Sequence, residues 1–357
     1  MIRTALIAVL SAVGVSATQQ QDAQPLRSPT PHLGFRAPRI GGPELSLIRF
    51  SLEARADGAA QLGLTFDGDA QERRGTMSGP RDWSDLHGVS REALTMTEGP
   101  VAFTLYAAAG DLACSGVASA GMAAGHCNFD PDEAFAATLE ARLGARPGTG
   151  QLFHLALTDF DPVLLDALEG EGYARPDLDQ VVAAAIHGVD AVYVRDVARS
   201  GYRLGALDAL VAFRIHGVTP EYVADMEALG AAFRGLPAED LMALSIHGVG
   251  PEYVRAMSGL NLGGSPKEMV ALKIHGVTAE GVRALAEAGY GDLTAEQQLA
   301  FAIHDVTPGF IHEMAGVGYA ELSADQLVSL RIHGVTPDYA RRMERHGAPR
   351  RTVADAD

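Results

Sequence analysis

Ile215-His216-Gly217-Val218-Thr219-Pro220-Glu221-Tyr222-Val223 recurs as Ile246-His247-Gly248-Val249-Gly250-Pro251-Glu252-Tyr253-Val254 and as Ile332-His333-Gly334-Val335-Thr336-Pro337-Asp338-Tyr339-Ala340. Looser copies begin at Ile186, Ile274 and Ile303. The marker histidines His187, His216, His247, His275, His304 and His333 lie 29, 31, 28, 29 and 29 residues apart. Twenty-nine residues before His187 stands Thr158, within Leu157-Thr158-Asp159-Phe160-Asp161-Pro162, a degenerate seventh copy. A period of this size defines a repeat array.

The last copy shows what one unit should be. Ser323 is an N-cap and Gln326 completes a capping box. The helix that follows stops at Gly334, the residue best suited to the left-handed conformation. Thr336 caps a second helix, with Pro337 where a missing N–H costs nothing and Asp338 near the positive helix end. Gly188, Gly217, Gly248 and Gly276 repeat the stop; Pro220, Pro251 and Pro308 repeat the start. Inside the second helices the columns Val194, Val223, Val254, Val282, Ile311 and Val197, Met226, Met257, Leu285, Met314, Met343 are apolar and three residues apart. That spacing puts both on one face. Helices of about ten residues are marginal alone, so that face must be buried against neighbouring repeats. The expectation is an α+β chain whose second part is an α-solenoid of about seven two-helix repeats.

Ahead of the array, Leu62, Leu64, Phe66 and then Val101, Phe103, Leu105 alternate, with turn signals between them. This reads as five or six short antiparallel strands, a small sheet or sandwich, with a helical insertion over Trp83–Thr95. Asp130-Pro131-Asp132-Glu133 opens a helix that ends at Gly144. The divisions are 1–17 signal peptide, 18–43 leader, 44–144 β-rich domain, 145–150 linker, 151–347 array and 348–357 tail. Met1-Ile2-Arg3, an apolar run to Val15 and Ser16-Ala17 form an export signal too short to span a bilayer. The expected location is therefore periplasmic or secreted, without membrane insertion after cleavage. Cys114 and Cys127 lie symmetrically about Ala120-Gly121; a hairpin there pairs them as a disulfide, the alternative being two buried thiols.

The chain carries a formal charge of −17, and 151–357 holds 16 basic against 29 acidic residues. That balance disfavours nucleic acid and anionic membrane. His312-Glu313 starts a zinc-protease pattern, but Gly316 stands where its second histidine belongs. No catalytic, cofactor or metal set is assigned. The repeat histidines are read as structural, each at a first-helix end where it can bond a backbone carbonyl and complement the dipole. Metal ligation and pH sensing are the alternatives, with a one-repeat ladder too sparse for zinc. Asp159 and Asp161 are read as caps at a helix start. Tyr193, Tyr222, Tyr253, Phe310 and Tyr339 form an aromatic column that either packs repeats together or grips a partner.

Gly248-Val249-Gly250-Pro251-Glu252-Tyr253-Val254 resembles the turn of helix-hairpin-helix DNA-binding motifs. Other copies lack the second glycine, and Glu221, Glu252, Glu280 and Asp338 follow the turn where a base is usual. Over 155–347 the unit resembles the bacterial I-H-G-V-T-P-E-Y-V helical repeats, arrays of which follow the membrane domain of some β-lactam-sensor-type metallopeptidases. The resemblance implies an extracytoplasmic repeat domain; it does not carry over protease activity, since the sequence holds neither the membrane helices nor a complete zinc motif. The expected function is a non-catalytic scaffold that binds a protein or peptide on its acidic array, with Arg214, Ser245, Lys273, Ala302 and Arg331 tuning the surface. An enzyme or regulator would instead place a deep polar pocket near His126, His154 and Asp130. A structural envelope protein would self-assemble without any other partner.

Overall fold

A computed structural model of the chain describes residues 46–67, 74–96 and 98–345. The export signal, the leader and the tail lie outside these residues. Six strands form one antiparallel sheet: β1 Ser46–Ala54, β2 Ala60–Asp67, β3 Arg74–Arg81, β4 Gly99–Leu105, β5 Gly110–Ser119 and β6 Met122–Pro131, in the order β3-β2-β1-β6-β5-β4. It is a single sheet, not a sandwich. Alternation sets its faces: Phe50, Leu52, Leu62, Leu64, Phe103 and Leu112 are buried on one side, whereas Ser51, Thr76, Ser115 and His126 are exposed on the other. Phe50 meets Phe103 edge-on, centroids 5.1 Å apart. The buried side is covered by the 3-10 turn Trp83–Asp85, the short helix α1 (Arg91–Met96) and a later helix.

β5 and β6 turn at Ala120-Gly121, both with positive φ (52° and 81°), the geometry of a two-residue hairpin that matches strand twist. Cys114 and Cys127 then fall directly opposite each other and are joined as a disulfide. β6 continues through Asp130 and Pro131, so the cap of α2 (Glu133–Leu143) is Asp132, whose carboxylate accepts from the Phe135 N–H at 2.6 Å. Asp130 takes no part in that cap because its backbone is still paired with Asp111.

Fourteen helices follow as seven pairs: α3 (Thr149–Leu157) with α4 (Val163–Gly170), α5 (Leu178–Ile186) with α6 (Ala191–Arg199), α7 (Leu207–Ile215) with α8 (Pro220–Glu227), α9 (Ala238–Ile246) with α10 (Pro251–Ser258), α11 (Pro266–Ile274) with α12 (Ala279–Glu287), α13 (Ala295–Ile303) with α14 (Pro308–Gly316), and α15 (Ala324–Ile332) with α16 (Pro337–Arg345). Capping boxes at Asp177-Gln180, Ser265-Glu268, Thr294-Gln297 and Ser323-Gln326 start first helices. The chain divides into two compact units, at Pro220/Glu221.

In the unit ending at Pro220, α3 packs into the sheet: Phe153 and Leu157 belong to the sheet's core, and Phe153 lies 5.1 Å from Phe66 ring to ring. Sheet and first repeat therefore share one hydrophobic interior. Residues 145–150 are fixed at both ends of this contact, with Pro147 buried and Arg146 paired with Glu133 and Glu140. Further on, first helices stack on first helices (α3, α5, α7) and second on second (α4, α6). In the unit from Glu221, α9, α11, α13 and α15 stack in the same way, α10 packs on α12 and α14 on α16. Stacking explains the apolar columns: Val194, Val223, Val254, Met226, Met257 and Met314 are all 3% exposed or less.

Candidate functional site

Each repeat is built around the turn joining its two helices. The histidine is the C-cap, the glycine after it adopts φ between 65° and 71° at Gly188, Gly217, Gly248 and Gly334 and 73° at Gly276, and the following valine is buried. The bonds are those of a Schellman ending: Val189 N–H reaches Ala184 O at 2.8 Å and Gly188 N–H reaches Ala185 O at 3.2 Å. The same pairs recur in every copy, for example Val277 to Leu272 and Gly276 to Lys273. In the first repeat Phe160 bonds Leu155 and Asp159 takes the left-handed position, as Asp305 does in the sixth. Asp159 thus ends a helix instead of capping the next, as the sequence reading had it. Asp161 does cap, accepting from the Val163 N–H at 2.9 Å.

The expected bond from a histidine ring to a neighbouring carbonyl is not made by His187, His247, His275 or His333 among the described residues, and all four are exposed. His216 and His304 are half-buried. No group of three or more metal-binding side chains comes together among the described residues.

The aromatic column lies between repeats. The hydroxyls of Tyr193, Tyr222 and Tyr253 each donate to the buried-valine carbonyl of the next repeat, Val218, Val249 and Val277, at 2.9 Å. Burial pushes the phenol of Tyr222 up to about 12 and raises those of Tyr193 and Tyr253. Over three of these rings lies a cation from the following first helix: Arg214 over Tyr193 (5.0 Å), Lys273 over Tyr253 (4.6 Å) and Arg331 over Phe310 (4.9 Å). Arg331 also donates to His304 O at 3.0 Å and pairs with Asp305. Where the aromatic position is empty, at Gly281, the cation position is Ala302. Arg214, Lys273 and Arg331 are thus engaged between repeats, and Tyr193 and Phe310 are buried; of the column only Tyr339 is exposed beyond a third (38%).

What the turn does present to solvent is the isoleucine before each histidine. Ile186 (37% exposed), Ile215 (38%), Ile246 (51%), Ile274 (54%), Ile303 (50%) and Ile332 (58%) occupy one position in six consecutive repeats. Scattered exposed aliphatics need no explanation, but within each unit the same residue is left exposed at a fixed period. At one position early in the second helices the edge differs between the units. It is apolar at Val163 (41%) and Val192 (61%) in the unit ending at Pro220; in the unit from Glu221 it is acidic and exposed at Glu252, Glu280 and Asp338, with Gly309 in the copy between. Sequence reading used these isoleucines only to mark where the motif copies begin; the signal was an apolar residue kept at a position that the buried columns do not need.

Elsewhere the sheet offers little. His126 and Asp130 are exposed. His154 packs edge-on against Phe66 and Phe153, with Nδ1 2.7 Å from Gly150 O, and burial lowers its pKa. A groove of about 290 Å³ is lined by Arg142, Leu165, Tyr173 and Arg175, and one of about 220 Å³ by Leu62, Met77, Arg81 and Leu157. Neither includes His126, His154 or Asp130. The disulfide fits an oxidising compartment, and among the described residues no helix is long and apolar enough to cross a membrane. Compared with protein-family profiles, characterised proteins and solved structures, the chain matches none.

Proposed function

We propose that this chain is an exported, non-catalytic scaffold whose helical array binds a protein or peptide. The observation that carries the reading is the row of exposed isoleucines, held at one turn position from repeat to repeat. A docking surface needs apolar side chains on a rigid frame, and the Schellman bonds and tyrosine stitches supply that frame. Export is supported by the disulfide, by the N-terminal sequence and by the resemblance to the bacterial extracytoplasmic repeats. The acidic balance argues against nucleic acid and anionic lipid as the occupant. Photo-crosslinking amino acids placed at Val192 on the array edge and at Val117 on the exposed sheet face test the reading in cells producing the full chain. A discrete adduct with a different polypeptide from position 192 is expected. Adducts from position 117 alone, or self-adducts only, would overturn it in favour of a site on the sheet or a self-assembling structural protein.

A further inference from the structure

Resting on the scaffold reading, we infer that the turn edge of the unit from Glu221 onward takes an extended, cationic polypeptide segment with an apolar residue at every third position. Ile246, Ile274, Ile303 and Ile332 supply one half-exposed aliphatic side chain per repeat. In the same turns Glu252 and Glu280 are exposed carboxylates that make no ion pair among the described residues, and the exposed Asp338 of the last repeat is paired with Arg341. The apolar group thus recurs in all four repeats, and an acidic one accompanies it in every repeat but that of Ile303, where Gly309 stands.

The period selects the conformation of the occupant. Stacked helices lie about 8–10 Å apart, so successive isoleucines step by about that distance. A polyproline-type chain has three residues per turn and rises about 3.1 Å per residue, or about 9.3 Å per turn, with every third side chain on one side. Four such turns register with four repeats. An α-helix returns to the same face at about 5.4 Å or, after two turns, about 10.8 Å, on either side of that step.

Charge selects the intervening residues. Residues 221–345 carry 17 acidic against 9 basic side chains, a net of −8, and two of those bases, Lys273 and Arg331, lie over aromatic rings. A second copy of this edge would bring like charge against like charge, as would nucleic acid or an anionic bilayer. Lysine or arginine between the apolar residues of a partner strand meets the free carboxylates instead. Because both groups are exposed, such pairs add mainly to encounter rate and to selection of sign, while the isoleucines provide the contact area.

The test uses the full chain and two fluorescein-labelled peptides, four Ile-Pro-Lys triplets and four Ile-Pro-Glu triplets, read by fluorescence anisotropy. The lysine peptide is expected to bind at least about tenfold more tightly than the glutamate peptide at low salt, and to weaken as salt screens the pairs. Ile246→Ser with Ile274→Ser and Ile303→Ser should weaken it about tenfold or more while leaving the charge unchanged. Glu252→Gln with Glu280→Gln should flatten the salt dependence; as both positions are exposed, this variant does not depend on the fold tolerating lost apolar surface. Equal binding of the two peptides, or wild-type binding by the serine variant, would overturn the inference. So would preference for an amphipathic helical peptide of equal charge, an outcome that leaves the scaffold reading standing. The scaffold reading fails separately, if the array edge crosslinks to no other polypeptide.

Discussion

Tyr253→Phe removes one hydroxyl, and its cost follows from where that hydroxyl ends. It donates to the carbonyl of Val277, a residue only 7% exposed, at 2.9 Å. A net hydrogen bond contributes about 0.5–1.5 kcal/mol, and a buried carbonyl left without its donor costs about 1–3 kcal/mol. With the ring half-buried, a loss of about 1–2 kcal/mol is expected. Phenylalanine keeps the face that Lys273 covers at 4.6 Å, so Tyr253→Leu should cost about 0.5–1 kcal/mol more. Lys273→Ala combined with Tyr253→Leu should recover about that coupling in a double-mutant cycle. The assay is urea unfolding followed by helical circular dichroism, with hydrogen exchange resolving where protection is lost. A repeat array is stabilised by nearest-neighbour interfaces, so exchange should rise first in the repeats that meet at Tyr253 and Val277, not uniformly. A Tyr253→Phe variant as stable as wild type, or a coupling of zero, would refute the claim that these side chains stitch repeats together.

Three further outcomes follow from the same geometry. Installing the missing pair with Gly281→Tyr and Ala302→Arg should stabilise the array beyond the sum of the single changes by about 0.5–1 kcal/mol; a Cβ at Gly281 meets only the Thr278 hydroxyl oxygen, at 3.4 Å, and chemical denaturation of the four variants reads the excess. Reducing Cys114–Cys127, which closes a loop 13 residues apart in sequence, should cost the sheet about 3 kcal/mol on the chain-entropy account, measured as a shift of the urea midpoint for the sheet with the helical signal of residues 221–345 unmoved. Stability should also depend on pH at both extremes, followed by thermal melts across the range. The raised phenol of Tyr222, about 12 when folded, holds its proton longer than in the unfolded chain, so its contribution is complete below pH ~10 and lost as pH rises toward ~12. The lowered imidazole of His154 contributes above pH ~6.5 and is lost as pH falls below that value, and His154→Phe should remove the loss that begins just below pH ~6.5, leaving the lower-pH loss from Asp57 and Glu268, whose carboxyls are held below their usual range.

The local grammar was legible because it is local. A capping box, a glycine in the left-handed position and a proline at a first helical turn each act on backbone a few residues away, so Ser323-Gln326, Gly334 and Pro337 announce their roles without knowledge of what packs against them. Repetition did the rest, fixing seven helix pairs from one motif, and the symmetry of Cys114 and Cys127 about Ala120-Gly121 predicted their register. Asp130 and Asp159 were misplaced for a related reason: in a run such as Asp130-Pro131-Asp132-Glu133 two residues have capping chemistry, and strand pairing across to Asp111 decides which one caps.

The sequence alone determined the period, the two-helix unit, the antiparallel strands and the acidic balance, since each depends on chemistry within one unit or on a simple count. Tertiary structure alone decided which repeated side chains face inward. Tyr222 and Tyr253 turn out to bond the carbonyl of the next repeat, the cations at 214, 273 and 331 lie over rings of the repeat before their own, and α3 enters the core of the sheet. The isoleucines of the motif are left outside. Exposure is a property of neighbours about 25–30 residues away along the chain, set by how stacked helices share their faces, and no pattern inside a single repeat contains it.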